Sequence, residues 1–89
     1  MIRLYAEFST LYTMSEAHQR LVRSQLPSQV KTLFLTNGLR ITHAQGWYDL
    51  FYTPSREKYV LYDCKEVAPE RLFIEKATEG NIEQILRFV

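Results

Sequence analysis

Residues 46–66 read GWYDLFYTPSREKYVLYDCKE, two aromatic-rich runs on either side of a loop led by Pro54. Proline fixes its own φ, and Ser55, Arg56 and Glu57 complete a polar break, so the runs are expected to fold back as an antiparallel hairpin. With Thr53 opposite Lys58, Tyr52 meets Tyr59, Leu50 meets Leu61, Asp49 meets Tyr62 and Tyr48 meets Asp63. One face then carries Tyr48, Leu50, Tyr52, Tyr59, Leu61 and Asp63, and the other Trp47, Asp49, Phe51, Val60, Tyr62 and Cys64. A sheet with one wet side shows polar alternation. This ribbon is largely apolar on both sides and therefore predicts cover on both, from helices or from a partner.

The rest of the chain supplies short elements around that ribbon. Ile2, Leu4, Ala6 and Phe8 alternate with Arg3, Tyr5 and Glu7, as in a strand with one face on a core. Thr13-Met14-Ser15-Glu16 has capping-box spacing, predicting a helix of about three turns that Pro27 stops near Gln25 or Leu26. Its apolar side would hold Met14, Ala17, Leu21 and Val22, with Glu16 and Arg20 paired on the exposed side. QVKTLFLT then returns to strand, and Asn37-Gly38 signals a tight hairpin to Leu39–His43, placing Thr36 opposite Leu39, Leu35 opposite Arg40 and Phe34 opposite Ile41. Pro69 closes the aromatic hairpin, RLFIEK follows as an edge strand, and Thr78, Glu79 or Asn81 caps a short final helix bearing Ile82, Ile85, Leu86 and Val89.

The expected order is β-α-β-β-β-β-β-α. This is an α+β fold, a single mostly antiparallel sheet with one long and one short C-terminal helix packed mainly on one face. A crossover through the first helix would set the first strand parallel to a neighbour. Eighty-nine residues with 46% hydrophobic content fit a single compact domain over residues 1–89. A domain this small buries only about two-thirds of its unfolded surface, which makes a homo-oligomer a natural way to cover apolar area.

Chemistry is sparse. Three glycines, none grouped, provide no phosphate-cradling loop, so phosphoryl and hydride transfer are not expected. His18 and His43 have no ligand partner at metal spacing, and the single Cys64 reads as a small buried apolar residue. Cys64 with His43 is the one nucleophile–base pair worth naming, but no exposed turn presents the sulfur. Asp49 and Asp63 fall on opposite ribbon faces and cannot work as a carboxylate pair; each is expected to accept a tyrosine hydroxyl or face solvent. The expectation is therefore no catalytic residue, no metal and no cofactor. MIRLYAEFST has neither the apolar run of a signal peptide nor that of a membrane span, which predicts a cytoplasmic protein that does not enter membranes.

Eleven basic and ten acidic side chains leave a net charge of +1, without the strongly cationic balance that draws proteins to phosphate backbones. Tyrosine and tryptophan contribute large contact areas with polar tips that tolerate water. Tyr48, Tyr52 and Tyr59, with Arg56 at the rim, are thus the candidate contact surface for a protein partner or for self-association. Chains of this size without chemistry are common among inhibitors and regulators of phages and mobile elements, an analogy of size alone. A nucleic-acid reading would use Arg40, Arg56, Lys58 and Lys65 around an aromatic sheet. The element order is also loosely similar in outline to RelE/ParE-type toxins. That resemblance implies a ribonuclease working through Arg40, Arg56, Lys58 and Tyr59, although near-neutral charge and a single helix in place of a helical hairpin depart from that family.

Overall fold

The computed structural model describes residues 13–89. The strand expected over Ile2–Phe8, and the parallel crossover it would require, lie outside them. From Thr13 onward the order is α1 (Glu16–Ser24), β1 (Thr32–Phe34), β2 (Gly38–His43), β3 (Gly46–Thr53), β4 (Lys58–Ala68), β5 (Arg71–Gly80) and α2 (Ile82–Phe88). The strands form one open sheet in chain order, each antiparallel to its neighbours. Two helices and this sheet make a mostly-sheet architecture compatible with the α+β class.

Helix α1 begins later than its capping-box spacing predicts. The Thr13 amide donates to Tyr52 O at 3.0 Å, which ties Thr13 to β3. Ser15 caps instead, its Oγ accepting from His18 N at 3.2 Å. The helix is therefore nine residues, short of three turns. Glu16 pairs with Arg20 as the i,i+4 spacing predicts, on the exposed side. The later start also rotates the buried face: Met14, Gln19, Val22 and Leu26 point inward, while Ala17 is exposed and Leu21 is 61% exposed. Gln19 is accommodated because its Nε2 donates to Met14 O at 2.8 Å and to Leu35 O at 3.0 Å. Beyond the helix, the Arg23 guanidinium donates to Ser28 O and Val30 O, fastening the loop around Pro27.

In the first hairpin the observed pairs are Thr32 with Ile41, Leu33 with Arg40 and Phe34 with Leu39. This is two residues away from the register expected for an Asn37-Gly38 turn. Leu35 N donates to Gly38 O at 2.9 Å, so Thr36 and Asn37 form the loop and Gly38 opens β2. The glycine is needed for space: a Cβ there would lie 2.7 Å from Leu50 O and 2.7 Å from the Phe51 ring. A two-residue shift preserves facing, so Phe34, Ile41 and His43 still share a face as expected.

The aromatic hairpin pairs as its turn dictates. Thr53 faces Lys58, Tyr52 faces Tyr59, Leu50 faces Leu61 and Tyr48 faces Asp63. A third hairpin turns at Pro69-Glu70, where Glu70 adopts φ 61, and β5 runs on to Gly80 through an irregularity at Ala77. Thr78 and Glu79 thus belong to the strand. Asn81 caps α2 in a capping box with Gln84.

Met14, Val22 and Leu26 meet Leu39, Ile41, Leu50 and Leu61 of the sheet and Ile85 of α2 in one buried cluster, so both helices serve the same sheet face. On the opposite face Asp49, Phe51, Val60 and Cys64 are buried as well, in keeping with a ribbon that needs cover on both sides. The β4–β5 hairpin is longer than β3: Trp47 pairs with Cys64, and from Lys65 to Phe73 the two strands extend past β3 as an arm. At its base Gly46 lies so close to β4 that a Cβ would run into the Cys64 carbonyl and the Lys65 backbone. Gly46→Ala is expected to destabilise the fold by about 1–3 kcal/mol, measured by urea unfolding, because backbone rather than a movable side chain blocks the added atom.

Candidate functional site

The three tyrosines read as one contact surface separate into two clusters. Tyr52 and Tyr59, cross-strand partners next to the β3–β4 turn, hold their rings 4.9 Å apart. Helix α1 adds His18, edge-on to both rings at 5.2 and 5.4 Å, with Nε2 hydrogen-bonded to the Tyr59 hydroxyl. Ser15, capping the helix through its bond from His18 N, starts α1 where this imidazole faces the sheet. All three are half-buried, and Arg56 stands exposed in the adjoining turn.

Burial lowers the His18 pKa below its ordinary 6.5. Burial, and then the neighbouring Tyr52, raises that of Tyr59 above 10.0. At neutral pH the hydrogen bond therefore joins an uncharged Tyr59 phenol to a neutral His18 imidazole. A base that is harder to protonate when folded lets the unfolded chain bind the proton first. Its contribution to stability is thus full above pH 6.5 and declines as pH falls from there toward the folded pKa. His18→Phe keeps a ring against both tyrosines and removes the titration. The wild-type urea midpoint minus that of the variant is expected to decrease with falling pH across that window.

Tyr48 lies four residues from Tyr52 along β3, about 13 Å away. It stacks on His43 at 4.3 Å and meets Phe88 of α2 at 5.7 Å. Gln45 N donates to His43 Nδ1 at 3.2 Å, which leaves Nε2–H to donate to Asp63 Oδ1 at 3.2 Å. Asp63 thus takes an imidazole rather than a tyrosine hydroxyl. His43 and Cys64 lie on opposite sheet faces and cannot act together.

Asp49 also differs from expectation. It is fully buried and accepts a two-pronged bond from Arg40, Nε to Oδ1 at 2.9 Å and Nη2 to Oδ2 at 3.0 Å. The guanidinium lies 4.9 Å from the centre of the Trp47 ring. The signal for this pair was present in the β2–β3 turn: pairing His43 with Gly46 sets Arg40 opposite Asp49. Arg40→Ala leaves a buried carboxylate without this fork. It is expected to cost somewhat less than the roughly 3–5 kcal/mol of a fully buried pair, because Arg40 is partly exposed, and clearly more than Arg56→Ala, by urea unfolding.

The four basic residues of the nucleic-acid reading are not gathered. Arg40 is committed to Asp49, Arg56 stands in the turn, Lys58 bonds Glu79 at 3.0 Å, and Lys65 lies over Phe73 on the arm. The Lys58 bond, with Lys76 at 3.4 Å, holds the Glu79 carboxyl below its ordinary range. Among the described residues no three His, Cys, Asp or Glu side chains gather as a metal site, and no helix is long and apolar enough to cross a membrane. Compared with protein-family models, curated proteins and solved structures, the chain matches none.

Proposed function

We propose that the chain is a small noncatalytic binding or regulatory protein that acts through protein–protein contact, an accessory factor or inhibitor of the kind phages and mobile elements encode. It works in the cytoplasm, where its single buried thiol stays reduced. The observation that carries this reading is the Tyr52–Tyr59–His18 cluster, half-buried and bordered by exposed Arg56. Tyrosine, histidine and arginine so placed offer aromatic area, fixed hydrogen-bonding tips and one adjacent charge, the chemistry of an interface centre with a polar rim. Tyr48 joins the contact only with a partner that extends along β3.

The test is affinity capture from the native host with wild type, Arg56→Glu and Tyr52→Ser/Tyr59→Ser. A partner held by wild type is expected to bind at least about tenfold more weakly to both variants. Arg56 is exposed, so its variant keeps the fold; circular dichroism reports whether the double variant does. Capture insensitive to both changes rejects this surface. Cleavage of single-stranded RNA by wild type, lost in Arg56→Ala, would reject the noncatalytic reading.

A further inference from the structure

The outer edge of β5 carries a pattern that neither tyrosine cluster uses. Among the described residues no strand lies beyond β5, which closes the sheet on that side. Exposed edges are ordinarily blunted by charges or bulges, since their free amides and carbonyls invite another chain. β5 does carry charges, but their order is unusual. From Glu70 to Lys76 the sequence is Glu-Arg-Leu-Phe-Ile-Glu-Lys, in which sign inverts about Phe73. Charges of one sign would repel a second copy; charges antisymmetric about a centre attract it when the strands run antiparallel.

We propose that β5 is a dimerisation strand, pairing antiparallel with β5 of a second copy on a two-fold axis through Phe73. In that register Phe73 meets Phe73 of the second copy and Leu72 meets its Ile74. Arg71 meets its Glu75, and Glu70 lies near its Lys76. The strand is suited to this pairing: Arg71 to Lys76 is regular along β5, with the irregularities falling at Val67 on β4 and at Ala77. Phe73 is 43% exposed, a large apolar ring midway along an edge that no described strand covers.

The charges themselves support the register. Arg71 and Glu75 are exposed and have no ion-pair partner among the described residues. Glu75 also faces Asp63 across β4, two like charges directly opposite, an unfavourable cross-strand arrangement. Arg71 of a second copy would arrive on the free side of Glu75 and relieve it. A parallel pairing would instead set Arg71 against Arg71. The other edge strand, β1, has three residues and no charge to fix a register. The dimer surface lies away from the Tyr52–Tyr59–His18 cluster and does not depend on the function proposed for it.

The test is light scattering on gel filtration, with analytical ultracentrifugation over a dilution series. Wild type is expected to form a dimer that dissociates on dilution. R71E and E75R each turn two attractive cross-strand contacts into repulsive ones and should raise the dissociation constant by roughly tenfold or more. The double variant R71E/E75R restores opposite signs and should recover the dimer. A further arm mixes the two single variants: each associates weakly alone, and together they should form a heterodimer through complementary charges, while recovery in the double variant is what separates the antiparallel register from a parallel one, which would set like charges together. All three variants should retain the wild-type circular dichroism spectrum, since both positions are exposed. Tyr52→Ser/Tyr59→Ser should leave dimerisation unchanged, which separates this inference from the partner-binding one. A wild type that stays monomeric at its solubility limit, a dimer indifferent to the single changes, or single variants that do not associate when mixed would each overturn the proposal.

Discussion

Leu50 and Leu61 face each other across β3 and β4, both without solvent exposure, and the rest of the molecule is arranged around that contact. Met14, Val22 and Leu26 reach the same cluster from the first helical segment and Ile85 from the last, so one sheet face receives both helices. Because side chains alternate along a strand, fixing Leu50 inward also fixes Tyr48 and Tyr52 on the helix side and Asp49 and Phe51 on the other. A slip of one residue would carry the leucines out of the core and set Asp49 among the helix contacts.

This dependence explains why the two faces differ in chemistry. On the helix side, aromatic rings flank the buried leucines at both ends of β3, and each end acquires a histidine: His18 from α1, and His43 from the rim of β2. Each imidazole has an assigned partner, a phenol in one case and a carboxylate in the other. On the opposite side the buried carboxylate is Asp49, paired with Arg40 and flanked by Trp47. The polar groups at the helix-side ends are partly open, whereas Asp49 is sealed. The first arrangement is suited to meeting another molecule and the second to holding the sheet together.

The aromatic hairpin was legible down to its register because Pro54 and its polar neighbours left a single loop, and both strands followed from it. The first hairpin was not, since Gly38 invites a turn by composition but is required by the close approach of Phe51. A glycine's reason is invisible until its neighbours are placed. The same holds for α1: Thr13 has the right spacing for a cap, but its amide is engaged by β3, and a helix starting later turns His18 and Gln19 inward and Leu21 outward. The pairs His43–Asp63 and Arg40–Asp49 are not legible in the hydrophobic pattern, because each depends on the β2–β3 register. The strand at Ile2–Phe8 lies outside the described residues.

The extension of β4 and β5 beyond β3 makes the molecule's stability uneven. From Lys65 to Phe73 each strand pairs, among the described residues, only with the other, and an isolated two-stranded hairpin is marginal in water. Such a segment can open from its Pro69 tip toward Gly46 without disturbing the leucine cluster, a partial unfolding far less costly than loss of the whole fold. Its backbone amides should therefore exchange with solvent ahead of those in β2 and β3. A strand laid against β5 would act on the least secure part of the chain, where each added hydrogen bond slows the most frequent opening.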